Sequence, residues 1–188
     1  MTEMRELHRR ALEGFDRRVR AVREDQWTAP TPCAEWDVRG LVDHLVVEQL
    51  WVPPLLAGET VAEVGDRFDG DRLGSDPVAA WGSSSAAAAA SVAEEGALER
   101  IVHLSYGDRP AVEYVREMVV DTVVHTWDLA RATGGDERLD PELVELAYGQ
   151  LEPVAERWRE AGLLGPAVPV ADGAGRQAGL LGLAGRQA

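Results

Sequence analysis

Asp121 and His125 stand four residues apart in the stretch DTVVHTWDLARATGG. At that spacing two side chains lie one turn apart on the same side of a helix. Met118, Thr122 and Leu129 fall on that side too, so the acid and the imidazole are expected to face the interior. An ionised carboxylate is not buried without a partner or a cation. The pair can simply hydrogen-bond, as core histidines usually do. It can also hold a metal ion, by the same i, i+4 logic that puts both histidines of H-E-x-x-H on one zinc.

A second imidazole bears on that choice. His44 lies between the apolar positions Leu41 and Leu45 of VRGLVDHLVVEQLW. Taken alone it reads as a satisfied core histidine. If two helices bring His44, Asp121 and His125 to one point, the result is a site of two imidazoles and one carboxylate. Such a site keeps coordination positions open for water or substrate, the pattern of catalytic rather than structural metal centres. Glu48, four residues after His44, competes with Asp121 for the carboxylate role. His8, on the first helix beside Ala11 and Leu12, is a candidate fourth ligand, with a solvated position as the simpler expectation. His103 has no ligand partner at useful spacing. Asp128, three residues after His125, is placed to orient an imidazole or to pair with Arg131 or another arginine. Cys33 lies in a proline-bounded loop, where burial as a small hydrophobe is the default.

The elements that must position these groups are helical. Met4, Leu7, Ala11, Phe15, Val19 and Val22 step by three and four and predict an amphipathic helix over 3–24. Pro30 and Pro32 interrupt it. Asp37 is an N-cap for a second helix, with Trp36 placed to staple onto Leu41, and Pro53-Pro54 is expected to disrupt that helix. The segment from Gly58 to Pro77 reads as loop. A third, alanine-rich helix is predicted over 77–95. Ile101 to Tyr106 is β-like and is expected to be an extended connection. The fourth helix starts near Pro110 and stops at Gly134-Gly135. A fifth begins at Asp140-Pro141, with Pro153 expected to kink it. The Gly-, Ala- and Pro-rich tail suggests a strap ending in a short helix. Long amphipathic helices with little strand predict an all-α bundle.

The chain of 188 residues carries a net charge of −14 and a hydrophobic fraction of 45%. That length suits one domain. The negative charge repels phosphate backbones and anionic lipid, so neither nucleic acid nor a membrane is an expected partner. Cys33 is the single cysteine, which rules out an intrachain disulfide and a multi-cysteine zinc cage. The N-terminus MTEMRELHRR lacks the apolar run of a signal peptide, and a cytoplasmic location is the expectation.

The blocks APTPCAEWDVRGLVDHL and VVHTWDLARATG, with GPAVPV near the end, resemble the actinobacterial DinB-like metal-binding proteins. That family is related to the N-terminal domain of mycothiol-dependent maleylpyruvate isomerase, and the likeness runs nearly the length of the chain. It implies a four-helix bundle with a divalent metal, zinc or nickel, near one end. By match to the family's motifs the ligands would be His44, Asp121 and His125, although the isomerase has glutamate where Asp121 stands. It further implies use of a low-molecular-weight thiol, mycothiol, against a small electrophilic substrate, and a homodimer as the assembly. The isomerase also has a C-terminal domain, for which the residues after Gly165 are too few. The expectation is thus an all-α DinB-like bundle over 1–165, with an extra C-terminal helix and an extended tail, 166–188, packed on it. Its expected activity is metal-assisted, mycothiol-dependent transfer or isomerisation. A non-catalytic metal-binding protein and a metal-dependent hydrolase are the alternatives.

Overall fold

The computed structural model describes residues 2–34, 36–162 and 164–188. Four long helices dominate it: α1 (Thr2–Val19), α2 (Val38–Leu56), α4 (Pro77–Ala93) and α5 (Ala111–Thr133), with a short α3 (Val61–Val64) between the second and third of them. α2 packs along α4 and α1 along α5, while contacts of α1 with α4 and of α2 with α5 join the two pairs. The stripe read from α1 is the buried one: Met4, Leu7, Ala11, Phe15 and Val19 all lie inside. Phe15 meets the fully buried Trp81 of α4 edge to face, with ring centroids 4.6 Å apart.

Local chemistry sets the helix ends. The Asp37 carboxylate accepts the Gly40 N–H at 2.8 Å and caps α2. Asp76 caps α4 in the same way through Ala79, ahead of Pro77 in the first turn. α5 stops at Gly134, which takes the left-handed conformation that closes a helix (φ +67°).

Several elements differ from the sequence expectation. α1 ends at Val19, and a 3₁₀ turn at Glu24–Gln26 follows. There the buried Gln26 amide donates to the Thr133 carbonyl at 2.8 Å, tying the turn to the end of α5. Pro53 and Pro54 do not end α2, which runs on to Leu56. They sit in its last turn, where few carbonyls lose a donor and burial of Val52, Leu55 and Leu56 holds the chain. Within the expected loop, Thr60 and Glu63 form a reciprocal capping box that supports α3. The β-like run is one arm of a hairpin, β1 (Ile101–Leu104) paired antiparallel with β2 (Gly107–Pro110).

After α5 come α6 (Pro141–Leu151), α7 (Ala155–Glu160) and α8 (Arg176–Leu183), the last packed on α6. α6 and α7 are the two pieces into which the expected fifth helix is divided near Pro153. The preceding strap runs against α8, where the Val168 N–H donates to the Gly182 carbonyl. The Val168 carbonyl passes so close that a Cβ at Gly182 would meet it at 2.6 Å. Only glycine admits that approach. No helix among the described residues is long and apolar enough to cross a membrane.

Candidate metal centre

α2 supplies His44, and α5 supplies Asp121 and His125. Each imidazole turns its Nε2 toward a different oxygen of one carboxylate: His44 to Oδ2 and His125 to Oδ1, both at 3.3 Å. The three donor groups lie within 4.8 Å of one another. Among the described residues, His44 Nε2 and Asp121 Oδ2 are buried and make no hydrogen bond. Such orphaned atoms are expensive unless something outside the chain satisfies them. Two donors each about 2.1 Å from a tetrahedral ion stand about 3.4 Å apart. The observed separations are of the size that a shared divalent cation requires.

The electrostatics agree. Burial works to raise the Asp121 carboxyl, but the two imidazoles outweigh it and hold the group below the usual carboxylate range. Burial works to lower His125, but the Asp121 charge and bonds to Asp121 and Asp128 raise it well above the ordinary imidazole value. In the metal-free chain the two groups thus serve as each other's counter-charge, and a cation at this place would take over the role of the imidazole proton.

Behind His125 lies a second layer. Its Nδ1 is 2.9 Å from Oδ2 of Asp128, which is wholly buried. Burial works to raise the Asp128 carboxyl, while bonds from His125 and Arg186 keep it below its ordinary range. A carboxylate so held only accepts, so Nδ1 keeps a proton, and Nε2 is the nitrogen that would give its own proton up to a metal ion. Arg186 grips the same carboxylate twice, Nε to Oδ1 at 3.2 Å and Nη2 to Oδ2 at 2.8 Å. Cys33 Sγ completes the cluster, 3.3 Å from Asp128 Oδ2 and 2.9 Å from Arg186 Nη2. Cys33, His125 and Asp128 also converge closely enough to ligate. In that group, however, the guanidinium of Arg186 already supplies the positive charge.

Trp36 closes one side of the centre. Its ring stacks on His44 with centroids 4.5 Å apart and planes at 25°, and lies 5.6 Å from His125. Trp36 also belongs to the apolar cluster containing Leu41.

The remaining candidates fall elsewhere. His8 is not solvated: it is 1% exposed, because it shares the inward side of α1 with Leu7 and Ala11. It lies outside the converging group, with the buried Gln49 as its polar neighbour. His103 pairs with Asp108 across the hairpin at 2.8 Å. Asp128 pairs with Arg186, while Arg131 turns to Glu137. Glu48 does not join the three converging side chains. Burial first, and the neighbouring Asp121 charge second, push its carboxyl up to about 7. Glu48→Gln is therefore expected to retain one equivalent of metal, and elemental analysis showing its loss would make Glu48 a ligand.

Arg186 was not legible in the sequence as part of the site. Trp36 was legible only as an apolar staple. The single available signal was the tryptophan directly before the Asp37 cap of the helix that carries His44.

A family model described as the mycothiol maleylpyruvate isomerase N-terminal domain matches residues 8–130. Two proteins of Mycobacterium tuberculosis, from different strains and both described as uncharacterized, are 34% identical to this chain over 166 residues. The match covers 88% of this chain and 84% of theirs. No solved structure matches.

Proposed function

The chain belongs to the family of the mycothiol maleylpyruvate isomerase N-terminal domain, and from that premise we propose a metal-assisted, thiol-dependent transferase or isomerase acting on a small electrophile. The proposed architecture is a DinB-like four-helix bundle over residues 1–165 with the tail 166–188 packed on it. The proposed ligands are His44, Asp121 and His125, with zinc or nickel as the ion and mycothiol as the thiol. The observation that carries the reading is the convergence of two imidazoles on opposite oxygens of one carboxylate, with two of those buried atoms left unpaired.

When bound, a divalent cation lowers the pKa of a coordinated thiol and keeps it as the nucleophilic thiolate. The chain's own residues do the rest. His44 and His125 offer neutral nitrogens and Asp121 offers the one formal charge, so three ligands leave coordination open. Asp128 fixes the His125 tautomer and Trp36 fixes the plane of His44. Glu48, one turn beyond His44, is the nearby carboxylate left over to take the proton that the thiol gives up.

The test is to incubate zinc-loaded protein with mycothiol and several classes of small electrophile, following thioether formation or substrate isomerisation. Acceleration over free mycothiol that disappears on chelation is expected. Metal uptake without acceleration by any electrophile would favour the non-catalytic reading, and thiol-independent turnover would favour hydrolysis.

A further inference from the structure

The family match ends at residue 130, yet one contact that completes the centre comes from the far end of the chain. We infer that the C-terminal tail is a working part of the metal centre, with Arg186 acting through Asp128 as the positioning residue for His125. This rests on the metal reading above.

The argument begins with how the tail is aimed. α8 ends at Leu183, and two residues on Gly185, with a φ of +78°, turns the chain sharply. A Cβ at Gly185 would also stand 3.0 Å from the Pro166 carbonyl, so the strap and the turn fit together only around glycine. The Arg186 N–H then returns to the Leu181 carbonyl at 2.7 Å. That closure directs the Arg186 side chain inward, where its guanidinium meets both Asp128 oxygens and Cys33. Arg131 of α5 holds the next residue, donating to the Gln187 carbonyl at 3.1 Å. The tail is thus fastened to the helix that bears two of the three proposed ligands.

The chemistry assigns the role. Asp128 is wholly buried, and a carboxylate there needs a cation or several donors to remain ionised. Arg186 provides a planar, two-pronged grip that fixes the carboxylate's orientation as well as its charge. So fixed, Asp128 accepts from His125 Nδ1 and leaves Nε2 free toward Asp121 and His44. Without Arg186 the carboxylate is free to rotate, and the imidazole loses the fixed acceptor that orients its ring. Partners of this kind behind a metal-bound histidine typically change metal affinity by about 10–100-fold.

The tail carries its own control. The pentapeptide AGRQA occurs twice, ending at Ala178 and at Ala188. Arg176 of the first copy is exposed and pairs with Glu145, far from the centre in role.

Zinc affinity is measured by chelator competition in the full-length protein and in Arg186→Gln, Arg186→Lys and Arg176→Gln. The zinc-free proteins are compared in parallel by ¹⁵N NMR of the imidazole rings. The expected result is a loss of about 10–100-fold in Arg186→Gln, a smaller loss in Arg186→Lys and none in Arg176→Gln. The hydrogen bond from His125 Nδ1–H to Asp128 should weaken in Arg186→Gln, read as a displaced Nδ1 resonance. Should that variant fail to fold, Arg186→Lys, which keeps the charge but not the two-pronged grip, carries both readouts. Equal zinc affinity and an unchanged His125 ring in the Arg186 variants overturn the inference while leaving the metal centre in place. Failure of the unaltered protein to bind zinc overturns the metal reading instead, and the effect on affinity falls with it.

Discussion

Substituting alanine for His44 or His125, or asparagine for Asp121, is expected to abolish stoichiometric metal binding while the helices persist. Structural zinc sites contribute about 10–16 kcal/mol in total, so one ligand in three or four is worth about 3–4 kcal/mol, on the order of 10²–10³-fold in affinity. The site's geometry says why no neighbour should substitute. Asp121 addresses both imidazoles, one through each oxygen, so its loss removes a donor and the bridge between α2 and α5 together. Glu48 stands outside the converging group. Folding should survive because the loads on α2 and α5 are carried elsewhere. Leu41, Leu45 and Val52 on one helix and Val115, Val119 and Leu129 on the other are fully buried. Replacing His44 even removes a buried nitrogen that has no hydrogen-bond partner. Chelator competition with elemental analysis, alongside far-UV circular dichroism, checks both halves. Unchanged metal content in all three variants would end the assignment.

The proposed ligands were readable because local rules determine where they face. An i, i+4 pair on a helix that Pro110 opens and Gly134 closes must share a side, and His44 sits one residue from a core position on a helix capped by Asp37. Periodicity gave the burial of α1, α2 and α5 for the same reason. What escaped depends on partners distant in sequence. β2, GDRP, is exposed at every position, so no alternation marks it as a strand; it exists because β1 offers it a ladder. Arg186 lies 58 residues from Asp128 and 153 from Cys33. Its pentapeptide is the one that leaves Arg176 in solvent, so composition cannot separate the two arginines. His8 is the opposite case. Its spacing from Leu7 and Ala11 already placed it inward, and the expectation of solvation gave too much weight to the polarity of the ring and too little to the stripe it belongs to.

That buried imidazole should make the fold sensitive to acid in a defined window. Burial is the main influence on His8 and lowers it from 6.5 to about 4, with Gln49 offsetting only part of the shift. In the unfolded chain the ring takes up a proton near pH 6.5, whereas in the folded chain it stays neutral until near pH 4. Between those values the unfolded state binds more protons, so stability falls as the pH falls. His8's contribution is fully present above pH 6.5, declines through the window and levels off below about pH 4. The depressed value amounts to about 3 kcal/mol lost across the interval. Other ionisable groups also respond to acid, so the quantity to measure is a difference. Urea unfolding of the chelated protein and of chelated His8→Leu is compared at pH 7.5 and pH 4, where contributions common to the two proteins cancel. The unaltered protein should lose about 3 kcal/mol more than the variant on acidification. Parallel losses in the two proteins would show that His8 is protonated in the folded state at the same pH as in the unfolded chain, and that its burial carries no acid penalty.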